Sequence, residues 1–225
     1  MDTKDITGQS LSSLLADFLI CPHCQVIDRD HERIRSGYQC PTCGVPSKAG
    51  RLYFEISVRV LIDLIQEAFH SQPKRSRDEE EAAYEAHNVS VVLFFCTLRE
   101  VLLNWLIQHL FWAQKIPEKV QERLLADSNI YRQRQNNLLP SLIGQKWRAA
   151  IEEASKGSAL DYVELDAFMQ NAVTARNKFT HEGRHWGIDR QMAEGCVEHL
   201  WTLLNLYVAL HNRYVHPLVF RPTNP

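Results

Sequence analysis

Glycine and proline are both scarce, with nine of each in 225 residues. Many of the prolines fall among the N-terminal cysteines or near the C-terminus, which leaves long stretches free to run as helix. No charge sign dominates: 25 Lys and Arg face 27 Asp and Glu, a formal charge of −2. That balance excludes a polybasic binder, so any nucleic-acid contact has to come from a local patch. The opening Met1-Asp2-Thr3-Lys4-Asp5 has neither a basic n-region nor an apolar run behind it, so no secretory signal is expected. Residues 89–114 are strongly apolar, but Arg99, Glu100, Asn104 and Gln108 interrupt them. A buried helix of a bundle fits that pattern better than a membrane span, and a cytoplasmic protein without a membrane partner is the expectation.

Disulfides are not expected either. Four of the six cysteines fall in two Cys-x-x-Cys units, Cys21-Pro22-His23-Cys24 and Cys40-Pro41-Thr42-Cys43, while Cys96 and Cys196 stand alone. Metal ligation in a reducing compartment explains that spacing better than a disulfide framework. Two sulfurs of one such turn reach a single ion, and the 15 residues between Cys24 and Cys40 suffice for a hairpin that brings the second pair alongside the first. Pro22 and Pro41 occupy matching places, and Gly44 follows the second pair. Cys21, Cys24, Cys40 and Cys43 therefore read as the ligands of a structural zinc in a small zinc ribbon. Four thiolates leave no open coordination position, so no catalytic metal is expected there. Between the pairs, Arg29, Arg33 and Arg35 are matched by Asp28, Asp30 and Glu32, which suits bracing or partner contact better than phosphate binding.

The remaining sequence predicts a mainly α protein. Residues 8–20 carry apolar side chains at helical spacing. From Leu52 to Phe69 the pattern begins with alternation and ends helical, which leaves open a strand closing the zinc module or a helix from near Tyr53. Residues 70–82 read as a charged linker. Helices are expected at 83–114, from Pro117 to about Ala126, at 145–155, from Asp161 to His181 and at 188–213, with 127–140 as a loop. Gly183 is well placed as a left-handed helix cap. The expected organisation is an N-terminal helix and zinc ribbon over 1–51, a connecting helix and linker over 52–82, and a helical bundle over 83–225.

The chemistry concentrates in Arg176-Asn177-Lys178-Phe179-Thr180-His181, near a helix end. A guanidinium grips a phosphate and an imidazole moves a proton near neutral pH. Asn177 and His181 are one helical turn apart, so the amide is placed to orient the imidazole. Arg176 lies about 140° around the helix from His181, so a single helix does not point both at one atom. The C-terminal end of a helix favours a cationic imidazole. Lys178, Arg184, His185 and Arg190 surround the motif as candidate phosphate contacts. Glu100 and Arg99, polar breaks in an apolar helix, are candidates to line the same cleft or to pair with other polar groups.

The order Arg-Asn-x-x-x-His before a last amphipathic helix resembles the signature of HEPN domains, helical bundles that include many metal-independent ribonucleases. Thr97-Leu98-Arg99-Glu100-Val101-Leu102-Leu103 resembles an early core helix of that family. Leu138-Leu139-Pro140-Ser141-Leu142-Ile143-Gly144, followed by Trp147, is similar to its segment ahead of the motif helix. The resemblance covers about residues 83–215. It implies a HEPN-like bundle and a homodimer with the two motifs facing each other. It also implies an endoribonuclease in which Arg176, Asn177 and His181 are catalytic, while Lys178, Arg184, His185 and Glu100 are candidate substrate contacts. Products would be 2′,3′-cyclic phosphate and 5′-hydroxyl ends. Related bundles serve as toxins or phage-defence effectors, so an inhibitor or antitoxin protein is a further expected partner. The alternative is a non-catalytic dimeric interaction protein carrying a structural zinc ribbon. A zinc-ribbon transcription factor fits the slightly acidic balance poorly.

Overall fold

The computed structural model describes residues 18–20, 27–28, 50–52, 56–71, 78–156, 158–183 and 187–215. The fold is mainly α. Three short strands precede the helices: β1 (Phe18–Ile20), β2 (Ile27–Asp28) and β3 (Gly50–Leu52). β1 is central and antiparallel to both neighbours, with Ile20 opposite Ile27 on one side and Gly50 on the other. Residues 18–20 therefore leave the helix expected over 8–20. Phe-Leu-Ile is a run of strand-prone types, and pairing on both edges outweighs the local helical spacing. Cys21 and Cys24 follow β1, and Cys40 and Cys43 lie between β2 and β3; all four are outside the described residues. The mixed pattern after residue 50 resolves into both readings, since β3 is followed by a helix from Ile56.

Helix α1 (Ile56–His70) is a core element rather than a connector. Val58, Ile62 and Ile65, spaced at i, i+4 and i+7, are fully buried, and the helix packs on the long α2 (Asp78–Ala113). Helix α2 runs 36 residues, about 54 Å at 1.5 Å per residue. It begins five residues before the expected start. Residues 78–82, which read as linker, form its start. Glu85–Ala113 is long and apolar enough to cross a membrane, but 61% of its most apolar window is buried within the protein. Val92, Phe95, Leu102, Leu106 and Leu110 make it the axis of the core.

Beyond it come α3 (Glu118–Asp127), α4 (Tyr131–Gln133), a π-turn (Arg134–Leu138) and α5 (Leu139–Ile143). Residues 131–140 are thus helical where a loop is expected, and the helical run continues to Ile143. Gln133, Arg134, Leu138 and Leu139 all keep right-handed helical dihedrals, so α4, the π-turn and α5 form one rod. Gly144 ends it at φ 77°. Helix α6 (Trp147–Ser155) is tied to α7 (Tyr162–Glu182) by the buried Trp147 Nε1, which donates to Asp166 Oδ1 at 3.0 Å.

Both ends of α7 are set locally. Asp161 Oδ1 accepts from the amides of Val163 and Glu164 at 2.9 Å each, and Gly183 closes the helix at φ 66°. The expected final helix is broken in two, α8 (Arg190–Glu198) and α9 (Leu200–Tyr214). The bend falls at His199 (φ −82°, ψ −3°), whose ring lies 4.6 Å from that of Phe168 on α7. α8 packs on α1 and α2, while α9 packs on α2, α6 and α7 and carries the most buried face of the bundle.

Candidate functional site

A cleft of about 730 Å³ opens between α2, the segment from Asn129 to Asn136, and α7. Helix α7 lines it with Gln170, Val173, Thr174, Asn177 and His181, the i, i+3, i+4, i+7 and i+11 positions of one face, and with Arg176 beside them. Helix α2 contributes Arg99 and Glu100. The third wall, from Asn129 to Asn136, brings Tyr131, Arg132 and Gln135. Arg134 clamps that wall in place: its Nε donates to Ser128 O at 2.8 Å and its Nη1 to Asn104 Oδ1 of α2 at 2.7 Å.

Arg176 and His181 thus line one cavity of a single chain, although the helical angle keeps them from aiming at one atom. Arg176 Nη2 donates to Glu100 Oε1 at 2.7 Å, in a pair whose side chains are 25% and 37% exposed. Glu100 accordingly both lines the cleft and pairs with the motif arginine. His181 and Asn177 are exposed, and among the described residues no side-chain hydrogen bond links them, so the expected orienting contact is not made. Lys178 is exposed on α7 but does not line the cleft. Arg184 and His185 lie outside the described residues. Arg190 is engaged elsewhere, pairing with Glu194 and lying over the Phe69 ring.

Beneath the cleft sits Arg99, 2% exposed, with its guanidinium carbon 4.2 Å from the centre of the Tyr131 ring. Its Nη2 donates to Gln135 Oε1 at 3.1 Å, and its carbonyl accepts from Tyr207 OH at 3.4 Å. The Tyr131 and Tyr207 hydroxyls meet at 3.5 Å, and burial raises the pKa of both. One turn earlier on α2, burial pushes the Cys96 thiol up to about 11, against the lowering pull of Arg176 and Arg99. Desolvation wins there, as expected for a dry layer under the cleft. The lining itself is positive: Arg99, Arg132 and Arg176 against Glu100 leave a surplus of two, on a chain with a net charge of −2.

Sequence reasoning misses Tyr131, Arg132, Gln135 and Asn136. Their only signal is a polar stretch, and a π-turn, with bonds to the fifth residue, falls off the 3.6-residue template. It also misses the meeting of His109 and His211, distant in sequence, whose Nδ1 and Nε2 lie 2.8 Å apart beside Trp105. Among the described residues no three His, Cys, Asp or Glu side chains are grouped to share a metal ion. No family model, curated protein or solved structure matches the chain.

Proposed function

We propose that the cleft is the active site of a metal-independent endoribonuclease, built on a HEPN-like bundle behind a structural zinc ribbon held by Cys21, Cys24, Cys40 and Cys43. The observation that carries this reading is the convergence of Arg176, Asn177, His181 and Glu100 on one cavity with a positive lining. His181, exposed at the rim, takes the proton from a ribose 2′-hydroxyl. The freed oxygen attacks the adjacent phosphorus and the bond to the 5′-oxygen breaks. That oxygen leaves with a proton from a second His181, supplied by the other copy of a homodimer. Arg176 stabilises the charge that builds on the phosphoryl oxygens, a form of stabilisation that supplies much of the rate in such reactions. The ends formed are a 2′,3′-cyclic phosphate and a 5′-hydroxyl, and DNA is not cut because it lacks the attacking group. A cytoplasmic toxin or phage-defence effector, held in check by an inhibitor protein, is the setting such an activity suits.

A second reading, a non-catalytic dimeric interaction protein, is favoured by one observation: Glu100 occupies the Arg176 guanidinium. Cleavage of a mixed RNA pool in excess EDTA separates the two. The ribonuclease reading expects cyclic-phosphate ends from the wild type and none from His181→Ala of equal fold. No cleavage by a folded wild-type dimer moves the assignment to the interaction protein.

A further inference from the structure

The floor of the cleft is built differently from its rim. Arg99 is a buried cation whose contacts are neutral, the Gln135 amide oxygen and the Tyr131 ring, and no carboxylate of the described residues forms an ion pair with it. A buried cation that no carboxylate pairs with directly is costly, so one that lines a cavity points to a ligand of opposite sign. The Arg99 donor fixes the Gln135 amide with Oε1 towards the guanidinium, which leaves Nε2 as a buried donor on the other branch of the amide. That Nε2 has no partner, and neither has Arg99 Nε or Arg176 Nε. Three buried, unmatched donors, two of them on cations, on residues that line one cavity favour an oxyanion with several acceptor oxygens. The volume of about 730 Å³ is far larger than one phosphate and leaves room for the strand on either side.

We propose, resting on the ribonuclease reading for the identity of the strand, that Arg99 and Gln135 form a second anion subsite. It takes a backbone phosphate of single-stranded RNA next to the phosphate that Arg176 holds. Gln135 is supplied by the π-turn, which lifts it out of the regular helical ladder, a feature often found where function needs it. The subsite binds rather than cleaves, so it fixes which part of the strand lies under His181.

The test uses the full chain with a non-cleavable 2′-O-methyl tetranucleotide and, separately, inorganic phosphate. Binding is measured by fluorescence anisotropy and thermal shift over a range of salt. Arg99→Met keeps an unbranched apolar stem in the buried site and removes the charge, together with the hydrogen bond to Gln135 and the stacking on Tyr131. It should weaken oligonucleotide binding about ten-fold or more. The slope of log affinity against log salt should fall by about 0.7, the release expected for one phosphate contact on a single strand. Gln135→Met, which keeps the guanidinium, should weaken binding several-fold with the slope unchanged. Wild-type affinity and slope in both variants overturn the subsite. If Arg99→Met does not fold, wild-type binding by Gln135→Met overturns it alone. Protection by phosphate but not by the oligonucleotide overturns the nucleic-acid source. Arg99-dependent binding without any cleavage by the wild type would retire the ribonuclease and leave the subsite standing, whereas cleavage with no effect of Arg99 would do the reverse.

Discussion

Adding one methyl group at Gly195 tests how tightly α8 meets α7. A Cβ there would lie 2.6 Å from Phe168 Cε2 and 2.9 Å from Cζ, inside van der Waals contact. The ring has little room to retreat, because Phe95 meets it edge-on at 5.9 Å and His199 packs at 4.6 Å. Two effects compete in Gly195→Ala. Helix propensity favours alanine by about 1 kcal/mol in a helix interior. Overpacking a close contact costs about 1–3 kcal/mol, and this one lies at the edge of the core, with Phe168 half-buried. The pinned ring places this site towards the upper end, so the net loss should be about 1–2 kcal/mol. For a chain of this length that lowers the melting temperature by about 2–8 °C. Differential scanning calorimetry reads the shift. Phe168→Leu provides the control: with the ring gone, Gly195→Ala should be neutral or stabilising, a coupling of about 1 kcal/mol or more between the two positions. A Gly195→Ala variant that melts with the wild type, or above it, would refute the close packing of α8 on the helix that carries the motif.

Two further outcomes are expected. Because burial holds the Cys96 thiol at about 11 against 9.0 when unperturbed, the unfolded chain ionises first on raising the pH. The contribution of Cys96 is whole below pH 9.0, is lost as pH rises towards about 11, and amounts to about 2–3 kcal/mol in full. Urea melts at pH 8 and above pH 10 should show that loss in the wild type and a smaller one in Cys96→Val. The zinc reading expects one zinc per chain by elemental analysis of the purified protein, falling to none in a Cys21→Ser, Cys40→Ser double variant; wild-type protein free of zinc would refute it.

Helix α7 was legible because its signals are local. Asp161 caps one end, Gly183 the other, and the apolar spacing between them aims a single face at the cleft. Glu100 was legible for a related reason, since a carboxylate within an apolar run needs a partner, and Arg176 provides it. The opposite wall was not. Tyr131, Arg132 and Gln135 lie in a polar stretch whose helical form depends on Arg134 reaching Asn104 on α2, a tertiary contact that no local pattern announces. Residues 18–20 failed in the same way, since strand pairing with residues 27–28 and 50–52 overrode their spacing. At His199 the apolar period runs on without interruption while the backbone bends, so period alone could not find the break.

The rod from Tyr131 to Ile143 has an implication for how such a cleft arises. Its π-turn accommodates one residue more than an α-helical turn would. Deleting a single residue between Arg134 and Leu138 would let the rod close as ordinary α-helix. The flanking segments would keep nearly their present facing, because the deletion removes only the residue that the wider turn absorbs. Tyr131 would stay under the guanidinium of Arg99, whereas Gln135, inside the turn, would lose its place in the wall. The amide that Gln135 brings to the cleft is therefore a single-codon character. It can be gained or lost in one insertion or deletion while α2, α7 and the buried core beneath them stay as they are.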